Sequence, residues 1–515
     1  GFGEFKNVPI APDYLTELQR NILLSHSVGA GEMADPGHPG NYFEADVVRA
    51  ALAIRLNAFL KGNSGIHPAM VRTVQAMLNR GIVPLVPIRG SVGSSGDLCP
   101  LSQLFVVLLG ESRYYVVRER GDFAHQTRTL RSGLEHLRED LGMEIPAVTY
   151  KDGLALTNGA TFSAALLALA AWDAERLANT ADAAAALSLE AVCGCARAFD
   201  PKVHQARGLA GQIATAANIR EAVRGSRLIE KAGAVQDVYS LRCAPAVHGA
   251  ARDVIGYARQ VAEAEINAAT DNPLFFPGEG APFDHEFSDN WPDGYDGRER
   301  VSYSAGNFHG EPVGMAADVL AIGLAELANI SERRSQMLLD ANHNRSLPAN
   351  LIPHRGINSG LMIVQYGAAG IVSENKVLTH PASVDSIPTS ANSEDHNAMA
   401  TIAARKLRTV LRNAQAVLAM ELLIAAQAVE WRVALEIDPR RPYPQPRDWE
   451  AAGREAEQFE ERTQPERRPE IAAQLGEGTR RLYLQVREAA PTMLRDRVLE
   501  GDIRAVRKLL EDGAP

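Results

Sequence analysis

The 515-residue chain has little of what marks the specialised protein classes. Its four cysteines, Cys99, Cys193, Cys195 and Cys243, are too few and too unevenly spaced for a disulfide framework, and they point to a reducing, cytoplasmic setting. Lys and Arg number 53 against 63 Asp and Glu, a formal charge of −10. No sequence-wide basic field is therefore present to hold a nucleic-acid backbone or an anionic membrane, and a small substrate fits better. The most apolar stretches, 98–110 and 413–429, are too short or too interrupted for a membrane span of roughly 20 residues. No secretory signal pattern precedes them, and Gly1 is not an initiator methionine, so the polypeptide is expected to be processed, trimmed or incomplete at its start. Standard catalytic machinery is also missing: there is no HExxH helix, CxxC pair, P-loop Gly-Lys-Ser/Thr or GxSxG elbow.

Apolar residues are plentiful, at 46%, and they recur at three- and four-residue spacing in 47–60, 161–198, 247–268, 313–339 and 402–429. That period predicts a mainly helical protein. Alanine is abundant inside these runs, as in 183–186, which favours helix and lets neighbouring helices approach closely. Strand-like alternation is limited to 113–118 and short pieces near 84–88, so any sheet is small. Loops or linkers are expected at 31–42, 277–300 and 438–469, giving three regions: 1–160, 161–437 and 438–515. The Cys193-Gly-Cys195 pair falls in the third-of-chain helical run among apolar neighbours and reads as buried small residues, not metal ligands.

Gly90, Gly93 and Gly96 form a GxxGxxG run after an apolar stretch. The spacing differs from GxGxxG and no acidic residue follows in a parallel-strand context, so the nucleotide signal is weak. A plain turn is one reading of this loop. Self-reaction is another: the small side chains of Ser94-Ser95-Gly96-Asp97 allow a bend tight enough to bring the Gly96 nitrogen against the Ser94 carbonyl carbon. Cyclisation and loss of the Ser95 hydroxyl then leave a methylidene group conjugated to a ring, an electrophile that proteins otherwise import as a cofactor.

The run Gly90-Ser-Val-Gly-Ser-Ser-Gly-Asp-Leu-Cys-Pro-Leu-Ser102 closely resembles the signature of the aromatic amino acid ammonia-lyases and aminomutases, whose Ala-Ser-Gly becomes 4-methylideneimidazole-5-one (MIO). Ser94 stands where that family has alanine. Further blocks resemble the family in the family's order: Leu154-Ala-Leu-Thr-Asn-Gly159, Gln236-Asp-Val-Tyr-Ser-Leu-Arg-Cys243, Gly306-Asn-Phe-His-Gly-Glu311, Asn358-Ser-Gly-Leu-Met362, Ser373-Glu-Asn-Lys376, Val384-Asp-Ser-Ile-Pro-Thr-Ser-Ala-Asn392 and Glu394-Asp-His396. Ser25-His26 and Met420-Glu-Leu-Leu423 are most similar to the histidine ammonia-lyase branch. The resemblance implies a mainly α fold, a long antiparallel central helix bundle with a smaller mixed N-terminal region carrying the loop. It implies a carbon–nitrogen lyase that converts L-histidine to trans-urocanate and ammonia, with MIO formed autocatalytically from Ser94-Ser95-Gly96 and no external cofactor or metal. It also implies a homotetramer in which each active site draws on three subunits. A phenylalanine or tyrosine ammonia-lyase, an aromatic 2,3-aminomutase and an inactive helical assembly subunit are the alternatives.

Residue roles follow by the same resemblance. Arg242 holds the substrate carboxylate through its planar two-donor fork, Tyr239 and Asn158 sit against the electrophile and the amino or carboxylate group, Gln236 assists binding, and Phe308 packs the substrate side chain. His26 is expected to hydrogen-bond the substrate imidazole. Glu421 can also be argued from the residues: it is the only charged side chain between Arg412 and Glu430, on a stripe with Val410, Ala414, Val417, Ile424 and Ala428. A carboxylate buried there must be protonated, paired or functional. A buried salt bridge is one reading, and the resemblance places Glu421 at the active site instead. Gly1-Phe-Gly3 is similar to the end of a family segment, Tyr-Gly-Xaa-Asn-Thr-Gly-Phe-Gly, whose tyrosine is the proposed general base. That tyrosine is not among these residues, and an N-terminally incomplete sequence is expected.

Overall fold

A computed structural model describes residues 5, 7–31, 40–117, 129–276, 302–443 and 446–513. Gly1-Phe-Gly3, the 277–300 loop and most of the 31–42 loop lie outside them. The fold is mainly helical, and the periodic segments form helices with bounds close to those expected: Ala45–Leu60, Thr161–Ala191, Ala244–Ile266, Glu311–Leu339 and Ala400–Ala434. The 161–198 expectation overshoots most, and 247–268 runs slightly past Ile266. Cys193 takes a positive φ of 53°, which a helix cannot accommodate, so the Cys193-Gly-Cys195 pair sits in the turn after the helix and not within it. Among the described residues Glu311–Leu339 is long and apolar enough to cross a membrane, but 67% of its most apolar window is buried inside the protein, as in a core helix.

The chain forms two compact units, each assembled from three separated segments: Gly1–Leu169, Arg259–Asp318 and Pro381–Arg405 in the first, Ala170–Ala258, Val319–His380 and Lys406–Pro515 in the second. These do not follow the three consecutive regions read from the sequence. Helices of about 30 residues carry the chain away and back, so segments distant in sequence share one core.

In the first unit, Leu15–His26, Ala45–Leu60, Pro68–Asn79, Leu98–Phe105 and Asp152–Thr157 surround a small antiparallel sheet of Ile82–Pro84, Arg113–Val116 and Arg131–Ser132, with Val83 opposite Tyr115. Pro68 opens its helix with φ already set, and the His67 ring accepts the Ala69 N–H as a cap.

The second unit is built from alanine-rich helix faces. Ala178, Ala181, Ala184 and Ala186 are fully buried, so close helix approach replaces bulky side chains. Its C-terminal helices, Trp449–Arg462, Glu477–Ala489 and Glu500–Asp512, belong to the same body and are not a detached tail. Trp431 stacks on Phe459 with centroids 4.0 Å apart, and Arg487 meets the buried Glu430 at 2.7 Å.

Candidate active site

The loop before the Leu98–Phe105 helix is held by backbone bonds and hydroxyls. Gly310 N–H donates to the Gly93 carbonyl at 2.9 Å, Met399 N–H to Val92 at 2.8 Å, and Asp97 N–H to Gly159 at 2.8 Å, while Gly159 N–H reaches the Ser95 carbonyl at 3.4 Å. Asp97 is fully buried. It accepts from Ser91 Oγ at 2.9 Å, from Ser163 N at 2.9 Å and Oγ at 3.0 Å, and from the Thr401 hydroxyl. Neutral donors alone thus hold a buried carboxylate one residue from Gly96. Gly96 has φ +72°, and a Cβ there would stand 2.1 Å from the Gly159 carbonyl carbon; only glycine fits. Among the described residues the Gly96 nitrogen takes no part in the bonds that knit the loop. Ser94, where the family has alanine, is accommodated because its Oγ accepts the Ala398 N–H at 3.2 Å.

Ser95 Oγ donates to Glu394 Oε1 at 2.5 Å. Thr389 Oγ1 donates to the other oxygen at 2.7 Å, and a two-residue antiparallel bridge joins Thr389 to Glu394. Between them Ser390, Ala391 and Asn392 all take positive φ, 50°, 49° and 64°. Three left-handed non-glycine residues in a row store strain that the surroundings must overcome, a pattern that concentrates at functional sites. His26 Nδ1 is 2.9 Å from both the Ile22 carbonyl and Ser25 Oγ. Burial lowers its pKa, and the Ile22 carbonyl and the Glu394 charge only partly offset this. Asn158 is buried with its Oδ1 unpartnered, next to the Gly159 backbone that seats the loop. Phe308 is half-buried, two residues before Gly310. The first unit therefore brings Ser94, Ser95 and Gly96 against Glu394, with Asn158 beside their seat and His26 within electrostatic reach.

The second unit carries Gln236, Tyr239, Arg242 and Glu421. Gln236 is exposed. Tyr239 and Arg242 share a four-residue helix, with the guanidinium 4.7 Å from the Tyr239 ring centroid and Arg242 Nε buried without a partner. An open cavity of about 540 Å³, lined by Tyr239, Ser240, Val247, Ile330 and Met337, borders this helix.

Glu421 departs from the active-site placement. Its stripe is buried, as the periodicity requires, and its carboxylate is closed by Arg334 (Nε 2.6 Å, Nη2 2.8 Å) and Ser188 Oγ (2.7 Å). The buried salt bridge is the arrangement found, because a forked guanidinium satisfies both oxygens. The carboxylate that touches the Ser94-Ser95-Gly96 loop is Glu394, from the Glu394-Asp-His396 block, to which the resemblance assigns no role. In the sequence it is only an acidic residue among Ser, Thr and Asn in a segment without periodicity, which does not mark its meeting with Ser95.

The protein is mainly helical, with its Ser94-Ser95-Gly96 loop seated on the Gly159 turn, and its relatives make it a carbon–nitrogen lyase. Residues 1–454 match the aromatic amino acid lyase family, and the chain belongs to that family, whose members are MIO-dependent. It is 42% identical over 515 residues to the histidine ammonia-lyase of Caldanaerobacter subterraneus subsp. tengcongensis, covering all of this chain and 86% of that one. It is 45% identical over 447 residues to that of Alkaliphilus metalliredigens, covering 86% and 80%. Among solved structures, histidine ammonia-lyase from Trypanosoma cruzi superposes with a TM-score of 0.77 at 36% identity, covering 99% and 82%. Tyrosine aminomutase from Streptomyces globisporus gives 0.79 at 31%, covering 100% and 86%.

Proposed function

We propose that this chain eliminates ammonia from L-histidine to give trans-urocanate, using MIO formed from its own Ser94-Ser95-Gly96. The observation that carries the reading is the Ser95–Glu394 contact of 2.5 Å beside a Gly96 nitrogen that the loop's bonds leave unused. Ring formation joins that nitrogen to the Ser94 carbonyl carbon and releases water; loss of the Ser95 hydroxyl with its α-proton releases a second. Glu394 moves the hydroxyl proton, and Asn158 Oδ1, without a partner among the described residues, is left for a donor on the substrate.

Once formed, MIO supplies an electrophilic carbon that takes the substrate amine. The chain's own groups do the rest. Gly159 N–H polarises the Ser95 carbonyl, where charge gathers. Asn158 Oδ1 accepts from an N–H of the substrate amine. Arg242, with Nε free and its plane set against Tyr239, clamps the substrate carboxylate, with Gln236 assisting. Phe308 packs the side chain. Neutral His26 bonds the imidazole, and Glu394, which takes the active-site place that the resemblance gave to Glu421, serves as an acid–base group. In the proposed homotetramer each active site draws on three subunits. Incubation with L-histidine, watched in the ultraviolet, should show urocanate with equimolar ammonia. Cinnamate, coumarate or a β-amino acid formed in preference from other aromatic substrates would replace this reading with the phenylalanine or tyrosine lyase, or the aminomutase.

A further inference from the structure

The helix that carries Tyr239 and Arg242 has four residues, too few to hold a conformation by its own hydrogen bonds. Its preceding segment is anchored at Asp237, which accepts from Cys195 N at 2.7 Å and from Arg345 at 2.5 Å. The helix itself is gripped at Ser240, whose carbonyl accepts from Arg334 Nη1 at 3.4 Å. Arg334 and Glu421 are both fully buried, and a buried ion pair contributes little net stability against well-packed apolar residues of the same volume. Its geometry suggests what else it does. Glu421 engages Nε and Nη2, which fixes the guanidinium plane and leaves Nη1 for Ser240 and for His248 Nε2 at 3.2 Å. His248 accepts there because its other nitrogen is paired with Asp182 at 2.8 Å, and Asp182 is held in turn by Arg252 at 2.5 Å and Asn218 at 2.8 Å. Burial lowers the His248 pKa, in keeping with a neutral ring.

We propose that Arg334, oriented by Glu421 and by the His248–Asp182 pair, is a positioning residue that sets the Tyr239–Arg242 helix in register to capture the substrate carboxylate. The proposal rests on Arg242 being the carboxylate ligand. Glu421 thereby acts on the reaction through Arg334 and not through the substrate.

The test is a double-mutant cycle on the full chain. Arg334→Lys keeps a cation for Glu421 and removes the fork that reaches Ser240. The pair Arg334→Met with Glu421→Met removes both charges at similar volume, so one of the two variants is expected to fold. Each should raise KM for L-histidine by about tenfold, with a smaller change in kcat, while the ultraviolet absorbance of the reactive loop, built in the first unit, stays unchanged. In an Arg242→Met background the same changes should add nothing further, because the residue being positioned is gone. Multiplying effects in that background, or an unchanged KM in a folded Arg334 variant, would overturn the proposal. An unchanged KM in Arg242→Met alone would instead remove the carboxylate assignment beneath it.

Discussion

Glu394 and Glu421 are the same residue type in two surroundings. Glu421 is fully buried and closed by a bidentate guanidinium and a serine; Glu394 is half-buried and its carboxylate is held, among the described residues, by the hydroxyls of Ser95 and Thr389. A charge isolated on an apolar helix stands out in a sequence, yet that isolation reports burial, and burial demands a partner. The carboxylate proposed for proton transfer is the one whose partners are hydroxyls, Thr389 at the strained turn and Ser95 on the loop, where a proton can be exchanged without leaving a buried cation behind.

Replacing each carboxylate by its amide should separate the two most sharply. Glu394→Gln should keep the fold and lower kcat by about two to three orders of magnitude, the range for a positioned acid–base group, read by steady-state kinetics beside a melting curve. Glu421→Gln should instead destabilise by about 3–5 kcal/mol, because it strands Arg334; denaturant unfolding checks this, and a stable Glu421→Gln protein with lost kcat would reverse the comparison.

Glu190 supplies an intermediate case. It is buried, accepts the Gly476 N–H at 2.7 Å, and burial raises its pKa from 4.5 to about 7 despite help from Ser226 and Thr479. Between those two values the folded state keeps a proton that the unfolded chain has released, so Glu190 lowers stability as pH rises from 4.5 and its full cost stands above about 7. Glu190→Gln should therefore stabilise the protein at pH 8 by up to about 3 kcal/mol and leave it unchanged at pH 4, in unfolding titrations at the two pH values.

The smaller effects lie at the edges of the loop. His26, with its pKa below the usual 6.5 through burial, is neutral at neutral pH and should lose substrate imidazole only as pH falls through that lowered value; His26→Ala should raise KM and remove that acid limb from its pH profile. Ser94→Ala removes one hydrogen bond, from Ala398, and should cost about 1 kcal/mol or less with the loop absorbance retained.

The helices were legible because their apolar period records the face each one buries, and the bounds missed by most where Cys193 turns left-handed, a backbone event with no compositional mark. The reactive loop was legible from small residues in order. Glu394 was not, since Ser95 lies 299 positions away and no local pattern encodes such a meeting. The partner of Glu421 was hidden likewise, 87 positions distant, and the two compact units interleave segments that a linear reading keeps apart.

Mass spectrometry of the peptide spanning Ser94–Gly96, cut from purified protein, tests the central claim most directly. The account predicts a fragment lighter than its sequence by two waters. A fragment at the full sequence mass, with the Ser95 hydroxyl in place, would contradict it.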